Sequence, residues 1–240
     1  MQYRLSPRMQ ALADLAEPGG AVADIGTDHA YLPIYLVESG RVAHAIAMDI
    51  NEGPLQRAEE HIREAGLTPY IEVRQSDGLT ALAPGEVSQI IIAGMGGTLM
   101  LRILGQGRAV TEKLSVMLLQ PQSGLAEVRD YLTQHTDFRI TAEDMKRDAG
   151  KYYTILKCEK SVPENAHYRQ PLSAIEREYG PLLIRNRHPV LREYLQRELK
   201  NAERIQKELE SREPTVAVEK GRRQLRAKLA QIRQALEEIK

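Results

Sequence analysis

Four short stretches put carboxylates and glycines where an apolar run gives way to a turn. The first is Asp24-Ile25-Gly26-Thr27-Asp28-His29-Ala30, at the end of the run Gly20–Ile25. Asp49 ends Ala43–Ile50, Asp77-Gly78 follows Ile71–Gln75, and Ala93-Gly94-Met95-Gly96-Gly97 closes Gln89–Ala93. In open α/β sheets, ligands bind outside the carboxyl ends of the strands, near the point where strand order reverses. Gly26 lets the backbone come close to a bound molecule, and helical amide groups are expected to point into the same space. The diphosphate fingerprint G-x-G-x-x-G is absent, and Asp28 stands where its second glycine is expected, so a diphosphate would meet a carboxylate. This disfavours a nicotinamide-dependent oxidoreductase but not a cationic, phosphate-free cofactor. Asp49 is placed to accept hydrogen bonds from both hydroxyls of a ribose. Asp77 is placed to accept from an adenine amino group, and the glycines of 93–97 imply a close backbone approach to ligand or substrate. A single Asp at a strand end is often a helix cap. Successive strand ends all carrying Asp or Gly point instead to a nucleoside-containing ligand.

The elements that must position these residues alternate through the first two-thirds of the chain. Gly20–Ile25, Ala43–Ile50, Ile71–Gln75, Gln89–Ala93 and Ser115–Leu119 read as strands, mostly continuous apolar runs that suit burial on both faces. Helical patterns such as Pro54–Ala65 and Leu125–Gln134 supply the crossovers, so a parallel, doubly wound sheet is expected. Phe138–Ala142 and Tyr152–Cys158 read as a closing antiparallel pair, with turn residues in Arg147–Gly150.

Past Pro163 the strand pattern stops, which places an expected domain boundary at 162/163. Leu172, Ile175, Tyr179, Leu182 and Leu183 lie at helical spacing, and His188-Pro189 marks a break. Leu191, Leu195, Leu199, Ala202, Ile205 and Leu209 then recur at steps of three and four. After Pro214 the pattern resumes with Leu225, Leu229, Ile232, Leu236 and Ile239. Two such helices joined by a short turn predict an antiparallel coiled-coil hairpin, each arm roughly 35 Å long. Glu193/Arg197, Glu203/Lys207 and Glu208/Arg212 are spaced for pairing along the first helix. The seam closes on itself or on another copy, so a monomer or a weak homodimer is expected.

The chain has no formal net charge, but the charge is unevenly distributed. Residues 1–184 carry 18 Lys and Arg against 24 Asp and Glu, a net of −6; residues 185–240 carry 15 against 9, a net of +6. A basic tail on an acidic body is expected when one part meets polyanions; the alternative is a solvated helix face. No apolar run is long enough to span a bilayer, and Met1–Leu15 lacks the pattern of a secretion leader. Cys158 is the only cysteine, and the six histidines show no ligand spacing with carboxylates, so neither a disulfide framework nor a metal site is expected. Together these features predict a cytoplasmic protein without membrane segments.

Read together, D-I-G-T-D-H-A-Y-L-P at Asp24–Pro33, S-D-G-L at Ser76–Leu79 and I-A-G-M-G-G at Ile92–Gly97 make the chain resemble the bacterial tRNA adenine-N1 methyltransferase family known as TrmK. Leu5-Ser6-Pro7-Arg8 and Leu119-Gln120-Pro121-Gln122 resemble it too. The motifs fall within residues 3–160, while the C-terminal part is similar to the family's coiled-coil arm in layout alone. The resemblance implies a class I methyltransferase fold (Rossmann-like), with S-adenosyl-L-methionine as cofactor and N1 of adenine 22 in tRNA as target. By the same resemblance, Asp24, Gly26, Asp49, Asp77, Gly78 and Gly94 line the cofactor site, and their neighbours Thr27, His29, Ile50 and Met95 are assigned to it with them. The Asn/Asp-Pro-Pro-aromatic motif of adenine-N6 enzymes is absent after the fourth strand.

Methylation at N1 needs no base, because that nitrogen already offers a lone pair. It needs alignment and a counter-charge for the cation forming on the adenine. Asp28 is the expected catalytic carboxylate, with helix capping as its alternative. His29 either donates to a ligand or fixes the loop. Tyr31 either stacks on the target base or packs at the start of a helix. Arg8 meets the cofactor carboxylate or a tRNA phosphate, or is a plain surface arginine. Arg222, Arg223, Arg226 and Lys228 are the expected tRNA-binding group on the arm, with Tyr168 and Arg169 as a stacking surface ahead of it. Methylation of another RNA or of a protein, and a nucleoside-binding adaptor docking through the hairpin, are the remaining alternatives.

Overall fold

A computed structural model of the chain describes residues 4–161, 171–211 and 213–240. It forms two compact units, Met1–Gln170 and Pro171–Lys240. The expected boundary at 162/163, together with Tyr168, Arg169 and Arg212, lies outside the described residues.

The first unit is a seven-stranded sheet. Its strands are β1 (Ala21–Ile25), β2 (His44–Asp49), β3 (Ile71–Gln75), β4 (Gln89–Met95), β5 (Val116–Pro121), β6 (Phe138–Asp148) and β7 (Lys151–Lys160), in the order β3-β2-β1-β4-β5-β7-β6. The first five are parallel, and β7 lies antiparallel between β5 and β6. Chain order runs outward from β1 to β3, then returns to start again at β4 on the other side of β1. The reversal between β1 and β4 opens a crevice at their carboxyl ends.

The helices are α1 (Pro7–Leu15), α2 (Tyr31–Glu38), α3 (Glu52–Glu64), α4 (Gly97–Gln106), the short α5 (Arg108–Thr111) and α6 (Leu125–His135). Alternation along the strands divides the core by face. Val22, Ala45, Ala47, Ile91 and Leu118 pack with Leu12, Leu36 and Ile62 of α1, α2 and α3. Ala23, Ile25, Met48, Ile90 and Ile92 pack with Met100, Ile103, Val128 and Leu132 of α4 and α6. Cys158 belongs to this second core, and burial pushes its thiol well above the usual range.

The closing hairpin is much longer than Phe138–Ala142 and Tyr152–Cys158. β6 and β7 pair from Phe138↔Lys160 to Asp148↔Lys151, and the chain reverses through Ala149 and Gly150, both at positive φ. Residues 143–147 are mostly charged and hide the strand pattern. One of those charges, Glu143, faces inward: its carboxylate and the guanidinium of Arg129 from α6 are fully buried and 2.9 Å apart. Arg129 also donates through Nε to Oε1 at 2.9 Å.

The second unit holds α7 (Ala174–Tyr179), α8 (Pro181–Arg185), α9 (Pro189–Glu210) and α10 (Val216–Glu238). α9 and α10 form the expected antiparallel hairpin, with Leu191, Leu195, Ala202, Leu229, Ile232 and Ala235 buried. Glu203, expected to pair with Lys207 on its own helix, instead reaches Arg233 of α10 at 3.1 Å. Lys228 meets Glu198 at 2.7 Å. The antiparallel order shows at the ends, where Arg192 meets Ile239 and Arg222 meets Leu209. Among the described residues, no helix is long and apolar enough to cross a membrane.

Removing one partner of a buried ion pair leaves the other charge desolvated. Arg129→Ala is therefore expected to lower the unfolding free energy by about 3–5 kcal/mol in denaturant melts. The double change Arg129→Met/Glu143→Leu should lose much less. A single variant within about 1 kcal/mol of wild type would remove the pair from the stability of the hairpin.

Candidate functional site

The carboxyl ends of β1, β2, β3 and β4 carry the residues singled out from the sequence. Asp24, the penultimate residue of β1, points to the α1 face and is almost fully buried (9%). It lines a cavity of about 290 Å³ together with Arg8, Gly26, Thr27, Asp28, His29, Tyr31 and Ala93. Burial pushes the Asp24 carboxyl up to about 6, against the opposing pull of the Thr27 hydroxyl and the Arg8 guanidinium; the charge of Asp49 adds a further upward push. Arg8 is not a plain surface arginine. Its Nη1 donates to Gln120 Oε1 at 2.9 Å, and its guanidinium lies 5.2 Å from the centre of the Tyr153 ring.

The turn after β1 departs from expectation in one respect. The N–H groups of Gly26 and Thr27 both donate to Met48 O, at 2.7 and 2.9 Å, so neither is offered to a ligand. Gly26 has φ +81°, and a Cβ there would fall 2.2 Å from the Met95 methyl, so Met95 covers the turn. Helix α2 begins at Tyr31 with Ala30 as N-cap, in the left-handed region, and no side chain caps it. The capping alternative for Asp28 is thereby removed. Its carboxylate is instead ion-paired with Arg57 and lies 3.3 Å from His29 Nε2.

Arg57 and its neighbour one helical turn on, His61, carry no signal of a site in the sequence. Their i,i+4 spacing on α3 puts both against the β1–α2 loop. His61 Nδ1 lies 3.0 Å from the His29 carbonyl oxygen, and the rings of His29, Tyr31 and His61 stand 5.0–5.2 Å apart. The ring of His29 thus helps to fix the loop, and Tyr31 is packed against two imidazoles.

At the end of β2, Asp49 Oδ1 accepts from the backbone N–H and the side-chain amide of Asn51, at 2.8 and 3.1 Å. Its Oδ2 has no hydrogen-bond partner among the described residues. Ile50 beside it is a large apolar side chain left half exposed. Past β3, Asp77 Oδ1 lies 3.2 Å from Arg102 Nη2. Gly78 (φ +62°) owes its lack of a side chain to packing as well as conformation, because a Cβ would press on Ile103 at 3.0 Å. Gly94, by contrast, sits at the β-bulge between Ala93 and Met95 with φ +80°, and a Cβ there would meet only ordinary contacts, with Gln122 at 3.7 Å and Arg8 at 4.0 Å. No group of three or more His, Cys, Asp or Glu able to hold a metal occurs among the described residues.

In the arm, the four expected tRNA contacts divide into two pairs. Arg222 donates to Leu209 O (2.8 and 3.2 Å) and Glu210 O (3.3 Å) and meets Glu219, so it closes the end of α9. Lys228 is held by Glu198. Arg223 and Arg226 are exposed and have no ion pair among the described residues.

The sequence matches the tRNA (adenine(22)-N(1))-methyltransferase family, TrmK, over residues 22–240. The chain belongs to that family. The tRNA (adenine(22)-N(1))-methyltransferase of Bacillus subtilis is 33% identical over 208 residues, covering 87% of each chain. Among solved structures, B. subtilis m1A22 tRNA methyltransferase TrmK is similar with a TM-score of 0.83 at 30% identity, covering 97% of this chain and 99% of that one. M. capricolum TrmK, in complex with the cofactor product S-adenosyl-homocysteine, has a TM-score of 0.83 at 27% identity, covering 99% and 100%. The Rossmann-like methyltransferase fold is therefore shared. The family activity is that of this chain: S-adenosylmethionine-dependent methylation of N1 of adenine 22 in tRNA.

The cofactor fits the residues at the crevice. Asp24 is a buried carboxylate whose ionisation is costly without a cation, and S-adenosylmethionine brings an ammonium. A carboxyl raised in the fold favours the unliganded protein at low pH, and that contribution is lost as pH rises through about 6. Binding of an ammonium reverses the preference. If Asp24 holds it, affinity for S-adenosylhomocysteine should fall by up to about tenfold per pH unit below pH ~6, and Asp24→Asn should flatten that dependence. Calorimetric titrations at about pH 5 and 7.5 read this directly, and equal wild-type affinities at both would remove Asp24 from contact with the amino group.

Proposed function

We propose that the chain performs this methylation with the amino-acid end of the cofactor held between Asp24 and Arg8. The observation that carries the proposal is a buried carboxylate and an anchored guanidinium lining one cavity at the strand-order reversal. An α-amino acid presents the two complementary charges. Anchoring of Arg8 by Gln120 and Tyr153 within that cavity favours the cofactor carboxylate over a tRNA phosphate as its partner. Asp49 Oδ2 accepts from the ribose hydroxyls, Ile50 covers a face of the cofactor adenine, and Asp77 accepts from its amino group beside Arg102. Thr27 and Met95 close the turn over the same ligand, while Gly26, Gly78 and Gly94 keep the backbone low beneath it.

When bound, S-adenosylmethionine supplies a methyl carbon whose bond to sulfur breaks as the bond to adenine N1 forms. The protein needs only to align that nitrogen and oppose the positive charge appearing on the base. Asp28 takes the second task. Arg57 and His29 fix the place of its carboxylate, and Asp28 lines the cavity rather than capping a helix.

Bulk tRNA incubated with labelled cofactor should yield 1-methyladenosine on nucleoside analysis, and absence of that nucleoside would overturn the reading. Asp28→Asn should lower kcat by about 10²-fold at saturating tRNA while leaving S-adenosylhomocysteine affinity unchanged. Near-normal single-turnover rates would leave Asp28 as an anchor of the loop and nothing more.

The arm supports binding of the polyanionic substrate. Of the four clustered residues, Arg223 and Arg226 are free among the described residues to neutralise phosphates, whereas Arg222 and Lys228 hold the hairpin together. Charge reversal of Arg223 and Arg226 should raise KM for tRNA and flatten its salt dependence, by about one unit of slope for each phosphate no longer neutralised. Reversal of Arg222 should instead lower the melting temperature. Unchanged KM in the Arg223/Arg226 variant at moderate salt would make this face simply solvated.

A further inference from the structure

The cofactor assignments follow the order of the strands. Asp77 stands at the end of β3, Asp49 at the end of β2 and Asp24 at the end of β1, and these neighbours run in that order across the sheet. Adenine, ribose and amino acid laid along them leave the ends of β4 and β5 for the incoming base. Two turns meet there. Gln122 N–H donates to Met95 O at 2.8 Å, and Gly97 N–H donates to Ser123 O at 3.0 Å. The approach is close enough that a Cβ on Gly97 would fall 2.5 Å from Ser123 O. This pairing of the β4–α4 and β5–α6 turns fixes the backbone of Gln122.

The side chain of Gln122 lies over the bulge at Gly94, its amide nitrogen 3.7 Å from where a Gly94 Cβ would be; Arg8 Nη1 lies 4.0 Å from the same point. Gln122 is exposed and makes no side-chain hydrogen bond among the described residues. The other amides near these strand ends are engaged: Gln120 with Arg8, Gln75 with Ile50 O, and Asn51 with Asp49. Gln122 therefore offers an unengaged amide on a fixed backbone, in ordinary contact distance of the side-chain face of Gly94.

We propose that Gln122 is a specificity-determining residue whose side-chain carbonyl accepts a hydrogen bond from the exocyclic amine of the target adenine. A neutral amide suits this position. It reads the amine without competing for N1, whose lone pair must stay free for the methyl group. Asp28 opposes the charge on the methylated ring, and Gln122 distinguishes a 6-amino purine from one that lacks the donor. A site built around a hydrogen bond to a substrate group discriminates strongly against an analogue without it.

The inference rests on adenine N1 being the methylated atom, and its test separates the two. Semisynthetic tRNA is prepared with either adenosine or purine riboside, which lacks the 6-amino group, at position 22. The ratio of kcat/KM values for the two substrates is measured for each enzyme, so intrinsic differences in N1 reactivity cancel between enzymes. Wild type should prefer adenosine, and Gln122→Ala should reduce that preference by about tenfold, mainly by slowing the adenosine reaction. Gln122→Glu, which keeps an acceptor, should retain most of it, and S-adenosylhomocysteine affinity should be unchanged in both. A Gln122→Ala enzyme with the full wild-type preference overturns the proposal. So does loss of the preference in Asp28→Asn but not in Gln122→Ala, which would assign the amine to Asp28. A wild-type enzyme that forms no 1-methyladenosine on the adenosine substrate overturns the N1 reading itself, independently of any variant.

Discussion

A carboxylate withdrawn from water without a full counter-ion is the constraint around which the first unit is arranged. Asp24 loses its hydration at the point where strand order reverses, and neither the Thr27 hydroxyl nor the nearby Arg8 offsets that loss. The surrounding sheet is apolar on both faces, so nothing in the core can compensate. Arg8 is itself held away from full pairing by Gln120 and Tyr153. Two opposite charges kept apart in one cavity leave each other poorly satisfied, and a zwitterionic amino acid would offer a partner to both.

Much of this site was legible because buried parallel strands leave a plain record. A continuous apolar run that ends in Asp or Gly marks both the strand and its carboxyl end, and Asp24, Asp49, Asp77 and Gly94 all fall at or just past such ends. What escaped depends on partners remote in sequence. The engaged amides of Gly26 and Thr27 follow from the register of β1 against β2, which sets the position of Met48 O. Arg57 and His61 read as ordinary polar residues of an amphipathic helix until the β1–α2 loop is laid against them. The long β6–β7 hairpin was hidden by its own charges, because a buried Glu143 makes sense only beside Arg129 of the preceding helix.

The division of the basic cluster makes the same point for the arm. Net charge counts Arg222, Arg223, Arg226 and Lys228 alike. Geometry separates those that close the hairpin from those left to solvent. A guanidinium with several parallel donors suits the carbonyl groups that a helix leaves unpaired at its last turn, and Arg222 is used in that way.

Arg222 has a counterpart at the opposite end of the hairpin. Arg192, near the start of α9, donates to the carbonyl of Ile239 just past α10, as Arg222, near the start of α10, donates to those of Leu209 and Glu210 at the close of α9. Each helix thus fastens the last turn of the other, and the apolar seam between them is tied at both extremities. Because both ends are fastened, neither helix can gain or lose a turn alone without breaking one tie or shifting every leucine in the seam. Natural variation in the arm should therefore come as matched insertions or deletions in the two helices, and its reach should change in whole steps of the helical repeat.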